Sequence, residues 1–135
     1  AVDQAQITHT LGSEGTIYAE FEGSRNSIAA AGIWNNASDL LLTNSPSGSV
    51  VSQIGANPPV VTAETTTPGV VSKAALTWNG SGRSLCLDGG VVVSGATCAG
   101  LGGPFTIGQP LNSNLRNIII YDRFMSDAEI QALTV

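Results

Sequence analysis

Apolar and polar residues alternate most cleanly over 16–22. Ile17, Ala19 and Phe21 fall on one side there, and Thr16, Tyr18, Glu20 and Glu22 on the other. A period of two predicts a half-buried β-strand. Further runs predict strands at 28–34, 39–43, 49–54 and 60–64, and a long one at 70–78. Clusters of Gly, Pro, Asn and Ser separate them, as at Asn44-Ser45-Pro46-Ser47-Gly48 and Gly55-Ala56-Asn57-Pro58-Pro59.

A hairpin is expected next. Residues 84–87 and 91–94 flank Asp88-Gly89-Gly90, a strong tight-turn signal. After a glycine-rich loop at 95–104 come a short strand at 105–108 and a longer one at 115–121. Leu115, Ile118, Ile119, Ile120 and Tyr121 put apolar residues on both faces of the latter. That pattern predicts a central strand covered on both sides. The chain closes with Ser126-Asp127-Ala128-Glu129, which has the capping-box form, followed by Ile130 and Leu133 on one face. This predicts one short C-terminal helix with a single sticky side. About ten short strands at regular spacing argue for an all-β fold, a two-sheet antiparallel β-sandwich or jelly roll. No solenoid or propeller period is present.

Composition narrows the function classes. The 135 residues suit one domain, 1–135, large enough to bury a core without help from metal or disulfide. Charged residues are only 11%, so the surface must be built from Ser, Thr, Asn, Gln and Gly. The net charge is −5, and Lys73 and the four arginines are scattered. Nucleic acid and anionic membrane surfaces are therefore disfavoured as partners, and no apolar run reaches the length of a membrane span. Ala1-Val2-Asp3-Gln4 shows neither an initiator Met nor a signal pattern, and a piece of a larger chain is expected.

Little of the reactive chemistry stands out. Cys86 and Cys98 form either one bridge or two separate buried thiols, which depends on a Cα spacing that sequence does not supply. With His9 they make a poor zinc set. His9 lies in no nucleophile-elbow context, and no phosphate or dinucleotide loop is present. Sugar binding needs an aromatic platform beside amides and carboxylates. Two clusters meet that description: Trp34 with Asn35, Asn36 and Asp39, and Trp78 with Asn79 and Asp88. Core or rim packing of the two indoles is the competing reading. Asn36-Ala37-Ser38 and Asn79-Gly80-Ser81 fit the glycosylation acceptor pattern, which arises readily by chance in an Asn- and Ser-rich chain.

Three stretches together resemble a known family. They are the opening Ala1-Val2-Asp3-Gln4-Ala5-Gln6-Ile7-Thr8 with Ser13-Glu14-Gly15-Thr16, the middle Lys73–Trp78 with Leu85-Cys86-Leu87-Asp88-Gly89-Gly90, and the ending Leu115–Thr134 with Tyr121-x-Arg123-x-x-Ser126-Asp127-Ala128-Glu129-Ile130. The order is similar to laminin-G-like, concanavalin-A-like jelly-roll domains, in particular those of tailed-phage structural proteins (tail fibre, spike or capsid-associated). The resemblance implies a non-catalytic module of a virion protein, mediating particle assembly or recognition of a host-surface glycan. Its partners would be other virion chains or that glycan, and a homo-oligomer is expected. The alternatives are a free-standing lectin-like carbohydrate-binding domain and a small glycosidase.

Some glycosidases of this fold use acids along one strand, in a pattern like Glu-x-Asp-x-x-Glu. Here Glu20-Phe21-Glu22-Gly23-Ser24-Arg25 lacks the third acid, so no catalytic residue is assigned. Related domains bind calcium through loop oxygens, for which Asp39, Asp88 and Asp122 are the candidates. No dense run of loop acids indicates it, and no cofactor is expected.

Overall fold

The computed structural model describes residues 5–7, 11–22, 32–35, 39–44, 47–53, 57–96, 105–107 and 115–135. At 5–7, 32–35, 39–44 and 105–107 the description covers the backbone alone. The described strands are β1 (Ala5–Ile7), β2 (Gly15–Glu22), β3 (Gly32–Asn35), β4 (Asp39–Asn44), β5 (Val50–Gln53), β6 (Val60–Val61), β7 (Val71–Trp78), β8 (Arg83–Leu87), β9 (Val93–Gly95), β10 (Phe105–Ile107) and β11 (Leu115–Tyr121). Helix α1 (Asp127–Thr134) follows. They form two antiparallel sheets, six-stranded β1-β10-β3-β4-β5-β6 and five-stranded β11-β2-β7-β8-β9. The chain is a two-sheet β-sandwich of jelly-roll type with one short C-terminal helix among the described residues.

The main core lies between the sheets. Register pairs Ile17 with Leu76 and Ala19 with Ala74 across β2 and β7, and Leu76 with Leu85 across β7 and β8. These residues, with Phe21, Leu87 and Trp78, point inward and are almost fully buried. Val50 and Val60 of the six-stranded sheet meet them. Each large side chain so buried contributes about 1.5–3 kcal/mol of transfer free energy.

A second, smaller core lies on the outer face of the five-stranded sheet. There Ala75 and Cys86 pack under Met125 and Ile130, with Tyr121 and Leu133 at the rim. The helix is pinned at both ends. Ser126 Oγ accepts from Glu129 N at 3.3 Å, and Glu129 Oε1 accepts from Ser126 N at 3.2 Å, which completes the capping box. At the far end Thr134 Oγ1 accepts from Gly89 N at 3.1 Å, and Lys73 Nζ donates to the Val135 carbonyl at 2.8 Å.

The turn that receives the helix is the expected one. Asp88 and Gly89 have φ of 49° and 70°, and Gly90 N donates to the Leu87 carbonyl at 2.9 Å. Two successive left-handed residues match the twist of a two-stranded hairpin. Asp88 tolerates that backbone, and its Oδ1 accepts from Lys73 N at 2.7 Å.

Two sequence expectations need correction, and one strand was missed. The 115–121 strand is not central: β11 is the edge of its sheet and pairs only with β2 among the described residues. Its two apolar faces have different partners. Ile118 and Ile120 pack on the main core, Tyr121 packs on the outer cluster, and Ile119 stays 38% exposed. The 60–64 strand stops at Val61. Thr62 Oγ1 accepts from Val50 N at 3.0 Å and lies 2.9 Å from the Glu64 carbonyl, so a side chain takes over from the ladder. β1 at Ala5–Ile7, paired with β10, was not anticipated as a strand. Of the 28–34 expectation, 28–31 lie outside the described residues.

Candidate functional site

The two aromatic clusters separate onto different sheets. Trp34, Asn35 and Asp39 lie where β3 meets β4, and the register pairs Asn35 with Asp39 and Trp34 with Leu40. The backbone thus gathers those three residues at one hairpin, while Asn36 lies outside the described residues. Trp78 lies on β7 of the other sheet and is a core residue. It continues the inward series Ala74, Leu76, Trp78, is 1% exposed, and its Nε1 donates to the Gly12 carbonyl at 3.1 Å. Gly15, its register partner, has to lack a side chain, because a Cβ there would sit 2.7 Å from the indole. With its faces and its N–H engaged in the fold, Trp78 offers no platform to a sugar.

Asn79 is different. It opens the β7–β8 turn, and its Oδ1 accepts from Ser81 N at 2.8 Å and Gly82 N at 3.0 Å. It also borders a shallow, open surface cleft of about 460 Å³. Ser81, Gly82, Ser84, Ser94 and Phe124 contribute to the same cleft. Ser84 and Ser94 are register partners on β8 and β9, and their hydroxyls lie 2.9 Å apart. Phe124, partly exposed, comes from the segment between β11 and α1. Sequence reasoning missed it because no periodic pattern marks a residue in an irregular connection.

Arg83 also lines this cleft and links the two sheets. It is 1% exposed, and its guanidinium donates to the Ser52 carbonyl at 3.2 Å, the Pro58 carbonyl at 2.8 Å and the Ala96 carbonyl. Backbone carbonyls replace the water that a buried cation loses. Apart from Arg83, the polar and aromatic side chains lining the cleft are neutral: hydroxyls, one amide and one phenyl ring.

The acids of β2 are spread along the outer face of the sheet. Glu20 Oε1 accepts from the Tyr18 hydroxyl at 2.5 Å, and Glu22 Oε2 pairs with Arg116 at 3.2 Å. Burial, reinforced by the Glu20 contact, pushes the Tyr18 phenol well above its ordinary value. Neither acid borders the cleft. A second groove of about 400 Å³ runs beside α1 between Tyr121, Arg123, Glu129 and Leu133. Arg123 and Glu129 are paired in it at 2.8 Å, which holds the Glu129 carboxyl below the usual range, with the Ser126 backbone helping.

Cys86 is a buried free thiol, 3.3 Å from Thr134 Oγ1, and burial pushes its pKa up. Cys98 and His9 lie outside the described residues. Among the calcium candidates, Asp88 serves its turn, Asp122 lies just after β11 and Asp39 on β4. No three His, Cys, Asp or Glu side chains converge on a metal position among the described residues.

No protein-family model and no curated protein sequence matches the chain. Solved structures do. Trypanosoma rangeli sialidase, in complex with 2,3-difluorosialic acid, matches with a TM-score of 0.63 at 19% identity, over 89% of this chain. The match spans only 22% of the sialidase chain. Toad ovary galectin, solved with thio-digalactose, matches with a TM-score of 0.60 at 13% identity, over 89% of this chain and 99% of its own. Domain 4 of an extracellular arabinanase from Geobacillus stearothermophilus, solved with arabinotriose, matches with a TM-score of 0.63 at 10% identity, over 93% of this chain and 68% of that one. At these identities the likeness is one of fold, the concanavalin-A-like jelly roll.

Proposed function

We propose that residues 1–135 form one carbohydrate-binding sandwich module, non-catalytic, with its ligand site in the cleft between the β7–β8 turn and Phe124. The observation that carries this reading is the cleft itself. It sets an aromatic ring beside two paired serine hydroxyls and an amide. An apolar ring with a few convergent hydroxyl and amide groups is what a pyranose or furanose face needs. The fold is shared with a galectin and an arabinanase domain that were each solved with a saccharide, which supports the same direction.

The glycosidase alternative finds less support. Glu20 and Glu22 are engaged with Tyr18 and Arg116 and stand away from the cleft. The setting in a virion, with other virion chains or a host-surface glycan as partners and a homo-oligomeric assembly, is proposed on the sequence resemblance alone.

The test is titration calorimetry of the chain with neutral oligosaccharides, beginning with arabinotriose and thio-digalactose. Saturable binding that Phe124→Ala abolishes supports the reading. Binding unchanged by Phe124→Ala but lost in Trp34→Ala would move the site to the β3–β4 hairpin.

A further inference from the structure

We infer that Asn79 is a self-modification site, at which the native β7–β8 turn promotes conversion of the amide to aspartate and isoaspartate. The inference goes beyond the carbohydrate reading and stands independently of it. Asn79-Gly80 is the only Asn-Gly pair in the chain. Its local geometry supplies two features that favour the reaction, backbone donors to the amide oxygen and an open Gly80.

The reaction begins when the Gly80 backbone nitrogen loses its proton to hydroxide and attacks Asn79 Cγ. Oδ1 takes the developing negative charge. In this turn Oδ1 already accepts from Ser81 N at 2.8 Å and Gly82 N at 3.0 Å, so two backbone donors are aimed where that charge appears. Preorganised donors of this kind lower the barrier to a tetrahedral intermediate. The Cγ–Nδ2 bond then breaks, and Nδ2 leaves as ammonia with a proton from water. This closes a succinimide ring. Hydroxide opens the ring at Cγ to give aspartate, or at the Asn79 backbone carbonyl to give isoaspartate. No redox partner is required.

The attacking group is accessible. Gly80 is exposed, and a Cβ added to it would meet nothing within 4 Å. Among the described residues its N–H has no hydrogen-bond partner to hold it back, whereas the neighbouring Asn79 N is tied to the Gly82 carbonyl at 3.0 Å. The absence of a side chain at Gly80 also removes the steric hindrance to ring closure. Other asparagines provide controls. Asn57 precedes Pro58, whose nitrogen has no proton to lose, and Asn117 precedes the β-branched Ile118 within β11.

The consequence falls on the cleft wall. Conversion places a carboxylate among neutral groups, and the isoaspartate product inserts an extra backbone atom beside the Trp78–Arg83 register pair.

The test incubates the native chain at mildly alkaline pH and follows Asn79, Asn57 and Asn117 by peptide mapping with isoaspartate detection. The same chain unfolded in urea and the Gly80→Ala variant are followed in parallel. Because a Cβ at Gly80 meets open space, that variant keeps the fold. The expected result is conversion at Asn79 ahead of both controls and rising with pH. It should run at least as fast in the native chain as in the unfolded one, and several-fold slower in Gly80→Ala. Slower conversion in the native chain than in the unfolded one, or a rate untouched by Gly80→Ala, overturns the inference.

Discussion

Both faces of the five-stranded sheet carry fully buried residues, but they are covered by different means. The inner face is covered by apolar side chains from the opposite sheet, with Ile17, Phe21, Leu76 and Leu85 at 0% exposure. The outer face carries Thr16 and Thr77, equally buried, and is covered by the chain that follows β11. Hydroxyls organise it. Thr16 Oγ1 lies 2.9 Å from both Thr77 Oγ1 and the Arg123 carbonyl, and Thr77 Oγ1 accepts from Met125 N at 2.9 Å. Apolar burial is non-directional, and many arrangements satisfy it. A hydroxyl aimed at one backbone group admits a single path for the covering chain. The outer face therefore fixes where Phe124 sits, and with it one wall of the cleft.

The contrast has consequences of graded size. Phe21→Ala opens a cavity in the main core and is expected to cost about 3–5 kcal/mol, lost in one cooperative transition in urea or heat. Thr77→Val keeps the volume but strands Met125 N, while the Thr16 hydroxyl keeps the Arg123 carbonyl. It is expected to cost about 1–3 kcal/mol. Its effect should be local: amide exchange accelerates at Met125 and along α1 before the sheets open, a pattern Phe21→Ala does not produce. Equal acceleration across all strands in Thr77→Val would erase the distinction between the faces.

Ser126→Ala removes half of the capping box and is expected to cost about 1 kcal/mol, again confined to the helix. The smallest effect is the pH dependence of the same cap. Glu129 is held below the usual carboxylate range by Arg123 and then by the Ser126 backbone. The stabilisation is fully present above the unfolded value of about 4.3 and is lost as pH falls through the lower folded value. Glu129→Gln should flatten helix exchange across that acid window.

How much of this the sequence carried depended on whether the signal was local. The alternation of 16–22 assigned Ile17, Ala19 and Phe21 to the core, the Ser126–Glu129 box placed the helix start, and Asp88-Gly89 placed the turn, each within a few residues. The same alternation suggested solvent over Thr16 and Tyr18, and there it failed. Their cover arrives from residues more than a hundred positions away, as the Thr16–Arg123 contact illustrates. The position of β11 failed similarly, since apolar residues on both faces do not distinguish a central strand from an edge strand with a helix nearby. Of the two readings open for Trp78, core packing is the one that holds, because strand parity decides which way the ring points. Of the proposed cleft, only Asn79 was named from sequence. Ser84 and Ser94 meet through register, and Phe124 through the path that the outer-face threonines impose.

The most direct test of the carbohydrate reading is amide chemical-shift mapping of the isotope-labelled chain during titration with a neutral oligosaccharide such as arabinotriose. The account predicts saturable shifts concentrated at Ser81, Gly82, Ser84, Ser94 and Phe124, with the inner-face strand residues silent. Shifts centred on Trp34 to Asp39, or none at saturating sugar, would contradict it.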